Sequence, residues 1–290
     1  RQGRGARPVD AGRVMGRLRR LFAAGLLWAA MAGLATAGDS LVVGTYAYPG
    51  RDRAAAVQPL ADYLAARSGR AVAVRLWPSP SALIEALRAG EADVVVPNLH
   101  GYLQGRRHAA TLPVPDVPPA QAARYRSLIV ARGVARLEDL ADGAAATRRL
   151  VLVGWDSATG GFVPLARLRE AGLVPGDFAG IVHAGSHEAA LAALRSGDAD
   201  VAALAVDVYE AAPVEGAAEL WRSPPLPPGP LLCRAAAGVA CASIANWLLE
   251  AHATHPEVMA ALRAGWPEFG DAVRFVDAAP VLAGLPADVD

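Results

Sequence analysis

The chain has 290 residues, 53% hydrophobic and 19% charged, enough for one large domain or two ordinary ones around a sizeable core. All 28 basic residues are arginine, which excludes a phosphate-loop lysine, a Schiff-base lysine and a lysine general base together. The net charge of +0 is unevenly spread: residues 1–37 hold seven arginines and one acid, so residues 38–290 set 21 arginines against 27 acids, a poor fit to a nucleic-acid binder.

From Met15 the sequence runs through a basic stretch, an apolar segment over 21–34 and then Ala35-Thr36-Ala37. That is the order of a secretory signal peptide, with cleavage expected after Ala37 and residues 1–14 as a leader. A membrane anchor is the alternative, but the apolar segment is short for a span and diluted by glycine and alanine. No cysteine follows it to carry a lipid. Export to the periplasm makes a disulfide between Cys233 and Cys241 feasible. The other reading of these cysteines is two small buried apolar side chains.

The body repeats itself. Leu87-Arg88-Ala89-Gly90-Glu91-Ala92-Asp93-Val94 returns 107 residues later as Leu194-Arg195-Ser196-Gly197-Asp198-Ala199-Asp200-Val201. In both copies an amphipathic helix (82–89; 189–195) ends near glycine and enters an apolar strand (93–97; 200–206). Upstream, Leu41-Val42-Val43-Gly44 resembles Val151-Leu152-Val153-Gly154, and Pro59-Leu60-Ala61 resembles Pro164-Leu165-Ala166. Buried strands alternating with helices predict an α/β protein of two lobes, each a mostly parallel sheet flanked by helices. The first lobe is expected over 38–124 plus 223–290. The second, over 125–222, is inserted, entered by a strand over 125–134 and left through 219–222. The proline-rich stretch 223–230 reads as a stiff hinge segment. A short strand (231–234) and two helices (240–252; 256–265) follow it.

In open parallel sheets ligands bind beyond the carboxyl ends of strands. This selects the loops 45–50, 98–102, 155–161, 183–187 and 207–209. In the third of them Ser157, Thr159, Gly160 and Gly161 precede a helix over 162–171. Free amides at a helix start, hydroxyl donors and glycines that admit a close approach suit an anion. Ser157 and Thr159 serve equally well as ordinary helix caps on the residues alone.

Ser157-Ala158-Thr159-Gly160-Gly161-Phe162-Val163-Pro164 resembles the ligand loop of the phosphate/phosphite/phosphonate-binding proteins of ABC importers, whose pattern is hydroxyl-x-hydroxyl-Gly-aromatic-x-x-Pro. Gly185-Ser186-His187-Glu188 and Asp207-Val208-Tyr209-Glu210 resemble two further segments of that family, in the same order. The resemblance runs from Leu41 to about Pro230. It implies the two-lobe type II periplasmic binding fold, with the ligand in the cleft between the lobes. It implies that Ser157, Thr159, Gly160 and His187 hold an oxyanion, that Tyr48 and Tyr102 line the cleft from the first lobe, and that Asp207 accepts from a ligand amine or a protonated oxygen. Read without it, His187 caps its own helix beside Ser186, Asp207 caps a short helix, and the tyrosines are half-buried packing. Asn98 and His100 stand where the family has Gly-Pro, Gly161 replaces an aromatic, and 223–230 lacks the second acid expected of aminophosphonate binders. Arg51 and Arg53 read as partners for an anion or as solvated residues at a helix start.

The resulting expectation is an extracytoplasmic, monomeric solute receptor for phosphonate, phosphite or phosphate. Its partners would be that small ligand and a membrane permease, with no cofactor and no nucleic acid. A sensory module serving a membrane signalling partner is the alternative on the same cleft. A metal receptor using His100, His183 and His187 is another, although no ligand spacing supports it and none of the chosen residues is assigned to a metal. Catalysis is not expected: there is no Gly-x-Ser-x-Gly elbow, and His187-Glu188 lacks a second histidine at helical spacing.

Overall fold

The apolar run Leu41–Tyr46 forms β1, with Leu41 and Val43 in the core. The computed structural model describes residues 40–235, 237–283 and 285. The leader expected over 1–14 and the signal peptide expected over 15–37 lie outside the described residues. β1 pairs in parallel with β2 (Val72–Trp77) on one side and β3 (Val94–Val95) on the other. The helices Arg53–Ser68 and Pro80–Ala89 make the two crossovers. β11 (Leu232–Cys233) returns antiparallel to β3, and β4 (Ala110–Thr111) pairs antiparallel with β11. The order is β2-β1-β3-β11-β4, with β11 the single opposed strand.

The second sheet has the same plan. It consists of β6 (Ser127–Arg132), β7 (Arg149–Leu152), β8 (Gly180–His183), β9 (Val201–Ala205) and β10 (Ala217–Arg222). Their order is β10-β6-β9-β7-β8, with β6 the opposed strand. Residues 219–222, expected to lead back to the first lobe, instead lie within β10 and close the edge of this sheet. A small third sheet joins β5 (Val114–Pro115) to β12 (Phe275–Val276).

The sequence repeat is explained by what its residues do. Ser79 and Ser186 cap helices Pro80–Ala89 and His187–Ser196 by accepting from Ala82 N and Ala189 N. Gly90 and Gly197 end those helices at φ of 79° and 83°, where a side chain would be strained. Asp93 then accepts from Val42 N at 2.9 Å, and Asp200 from Arg149 N at 2.8 Å. In each lobe one carboxylate thus clamps the start of the third strand to that of the first.

The chain passes between sheets twice, over 112–126 and 223–231, and the two passages are stitched together. Ser127 N donates to Ser223 Oγ at 2.9 Å, Ser223 N to Ser127 O at 2.9 Å, and Leu226 N to Tyr125 O at 2.8 Å. The helices Cys241–Thr254 and Glu257–Gly265 pack beside helix Arg53–Ser68 on the first sheet, where Ile244, Leu248, Val258, Leu262 and Trp266 are buried. Cys233 of β11 is joined by a disulfide to Cys241, the first residue of helix Cys241–Thr254.

Candidate functional site

The carboxyl ends of β1, β7, β8 and β9 open on one cavity of about 860 Å³, lined from both sheets. Tyr48, Ser157, Thr159, His187 and Asp207 all line it. Their shared surroundings come from four loops of the kind selected by the strand-end rule.

Past β7 the chain makes a wide turn of π type, Ala158–Phe162, that runs into helix Val163–Glu170. Ser157 caps it, its Oγ accepting from Gly160 N at 3.2 Å. The glycines are required by close approach. A Cβ on Gly161 would collide with the carbonyl oxygen of Gly154, and one on Gly160 would collide with Val153 and press on His187 Cε1 at 3.1 Å. Gly160 is therefore packed beneath the cavity rather than exposed in it. Gly161→Ala is expected to destabilise the fold by about 2 kcal/mol, the overpacking cost of a site with no slack. Thermal unfolding of the variant checks this.

His187 is pinned on both sides. Its Nδ1 accepts from Ala205 N at 3.1 Å, which leaves the ring proton on Nε2. Nε2 then donates to Thr159 Oγ1 at 3.3 Å. Burial holds the imidazole pKa down, from the ordinary 6.5 to about 4, with Glu188 raising it and Arg51 lowering it further by smaller amounts. The ring is thus a neutral Nε2–H donor at physiological pH. The folded protein binds fewer protons here than the unfolded chain between pH 6.5 and about 4, so this histidine's contribution to stability is full above 6.5 and declines as pH falls through that window. Following its ring signals by NMR should show no titration between pH 8 and 5.

Tyr48 reaches across from the first sheet's side, its hydroxyl accepting from His187 N at 3.3 Å. Asp156 reaches the other way. Its carboxylate accepts from Ser81 N, in the first turn of helix Pro80–Ala89, at 3.2 Å, and its carbonyl accepts from Asn98 Nδ2 at 2.8 Å. The two contacts are counterparts in the repeat: the loop after the first strand of each lobe meets the second crossover helix of the other.

Tyr102 departs from expectation. It is 5% exposed within helix Leu99–Gly105, lies outside the cavity lining, and stands 3.4 Å from Thr111 Oγ1 through its hydroxyl. The cause is the cap at Asn98, whose side chain accepts from Gly101 N and starts the helix so that Tyr102 faces the core with Leu83 and Leu99. The three histidines also go separate ways. His100 stacks on Phe162 at 4.5 Å, His183 meets Trp155 edge-on at 4.7 Å, and His187 sits in the cavity. Among the described residues no group of three His, Cys, Asp or Glu could hold a metal ion.

Two cavity residues were not singled out from the sequence as a pair. Arg53 is 3% exposed, so of its two readings the solvated helix start does not hold. Its Nε donates to Gly265 O at 3.1 Å, and its guanidinium lies 4.1, 4.9 and 4.7 Å from the rings of Tyr46, Tyr48 and Trp266. Glu268, in the short turn Pro267–Phe269, also lines the cavity, and burial raises its pKa.

The sequence profile of the family described as the phosphonate periplasmic substrate-binding proteins of ABC transporters matches residues 46–273. The chain belongs to this family. A search of the curated proteins found no match. Among solved structures, the methylphosphonate complex of PhnD1 from Prochlorococcus marinus is 16% identical, over 83% of this chain and 93% of that one, with a TM-score of 0.63. A binding-protein component of an ABC phosphonate transporter from Pseudomonas aeruginosa is 17% identical over 84% of each chain, TM-score 0.62. A Xanthomonas citri protein solved with ATP is 21% identical, over 84% of this chain and 94% of that one, TM-score 0.65. This family member therefore has the two-lobe type II periplasmic fold that its repeat and its motifs led us to expect.

Proposed function

We propose that the cavity takes a small tetrahedral oxyanion, a phosphonate first among them, at the corner formed by Ser157, Thr159, His187 and Tyr48. The observation that carries this is the state of three hydroxyls. Each accepts one hydrogen bond from the protein itself: Ser157 from Gly160 N, Thr159 from His187 Nε2, and Tyr48 from His187 N. Each therefore has its own proton left to donate. Three converging donors with part of their acceptor capacity already used favour a ligand that only accepts. A tetrahedral oxyanion is such a ligand, and hydrogen bonds to a charged acceptor are the strong kind. Gly160 supports the corner from beneath, and Asp207 lines the same cavity. The methylphosphonate bound by the Prochlorococcus protein is a ligand of this class.

On this reading the lobes are 38–124 plus 223–290 and 125–222, and they close as a hinge about the paired passages near Arg126 and Ser223. The closed receptor docks as a monomer on a membrane permease after export through the signal peptide over 15–37. It binds its cargo and releases it unchanged, without catalysis.

Calorimetric titration with phosphate, phosphite, methylphosphonate and 2-aminoethylphosphonate tests the reading. Saturable heat with at least one anion, lost in a Ser157→Ala/Thr159→Val double variant, is the expected result. A folded protein that gives no heat with any of the four overturns it.

A further inference from the structure

The cavity is much larger than a bare oxyanion needs. A tetrahedral anion displaces a few waters, each about 30 Å³ of liquid, against about 860 Å³ here. The remaining space has its own chemistry. Away from the Ser157–His187 corner it is walled by Tyr46, Arg53, Tyr125, Asp207 and Glu268.

All five line one cavity, and Arg53 Cζ lies 4.1 Å from the ring centre of Tyr46. Tyr48 ties this end to the oxyanion corner. Its hydroxyl is 3.3 Å from His187 N, and its ring centre is 4.9 Å from Arg53 Cζ. One tyrosine side chain therefore separates the guanidinium from the oxyanion corner.

Arg53 has a donor to spare. Its Nε donates to Gly265 O, and its buried Nη1 has no hydrogen-bond partner among the described residues. Its guanidinium is packed on the rings of Tyr46 and Trp266, which stabilise its charge without accepting from Nη1. Asp207 and Glu268 line the same cavity, and carboxylates accept hydrogen bonds. A ligand tail that suits both must bring an acceptor for Arg53 and a cationic donor for Asp207 and Glu268. An α-ammonium beside an α-carboxylate does this on one carbon.

We propose that this end of the cavity recognises the zwitterionic head of an amino acid, so that the preferred ligand is an amino acid bearing a phosphonate on its side chain. The inference rests on the oxyanion reading of the Ser157–His187 corner and adds the second half of the ligand.

Four probes separate the contributions: methylphosphonate, 3-phosphonopropionate, 2-aminoethylphosphonate and 2-amino-3-phosphonopropionate. The second and third are the last without its amine and without its carboxylate. Calorimetry on the purified protein should rank the complete amino acid at least about tenfold tighter than either, the yield of one added hydrogen bond to a charged group. Glu268→Gln should shrink its advantage over 3-phosphonopropionate by about tenfold. Arg53→Lys, with a thermal melt to show that it folds, should shrink its advantage over 2-aminoethylphosphonate. Four probes binding within about twofold of one another, or ratios unmoved by Glu268→Gln, overturn this inference and leave the oxyanion corner standing. No binding by any probe, methylphosphonate included, removes both.

Discussion

Replacing His187 by alanine is expected to weaken methylphosphonate binding about 100-fold, or about 2.7 kcal/mol. Two losses coincide at this residue. The Nε2–H bond that fixes the Thr159 Oγ1 rotamer goes. Ala205 N loses its acceptor at Nδ1, and an unsatisfied buried amide costs about 1–3 kcal/mol. The first acts on binding and the second on the fold, so calorimetry and thermal unfolding should both respond. His187→Gln, which keeps a neutral donor, should recover part of the affinity. Because the ring is neutral over pH 5–8, binding in that range should follow the ligand's ionisation and not the histidine's. An affinity that falls by less than about threefold in the alanine variant would show that the ring is packing and does not set Thr159 for the ligand.

The largest stability effect is expected at Asp93. This carboxylate is 5% exposed, accepts from Val42 N and forms an ion pair with Arg234. Asp93→Ala strands a partly buried guanidinium and a strand amide together. Removing one partner of a buried pair costs about 3–5 kcal/mol, or on the order of 10 °C in Tm for a protein this size. Asp200 holds the same place in the second lobe but is more exposed, and its clamp is to Arg149 N. Asp200→Ala should cost about 1 kcal/mol, the net worth of a hydrogen bond. Chemical denaturation of the two variants compares one motif in two environments, and equal losses would show that burial is not what sets them apart.

The repeat was legible because its signals are local. A helix end that needs a left-handed residue demands glycine, and Gly90 and Gly197 supply it 107 residues apart. The place of loop 157–161 at the cavity was legible for the same reason, since hydroxyls and glycines at a helix start act within a few residues of one another. Arg53 and Glu268 were not legible as partners. They are 215 residues apart and meet only because helix Glu257–Gly265 packs against helix Arg53–Ser68. No periodicity distinguishes a buried arginine at a helix start from a solvated one. Tyr102 failed for a related reason: loop membership was read correctly, but its side chain follows the helix that Asn98 initiates. The opposed strands β6 and β11 were placed without their direction, which depends on how the two passages between sheets run.

The reciprocal contacts of Asp156 and Tyr48 bear on how the receptor treats charge. Two equivalent helix starts, at Ser81 and at His187, face the same space from opposite lobes. The first is met by a carboxylate on the protein's own chain, a tethered anion. The second is met by the phenol of Tyr48. On the reading proposed above, a single fold repeated twice offers two seats for negative charge, with one taken by the protein itself whenever the lobes are together and the other filled from outside.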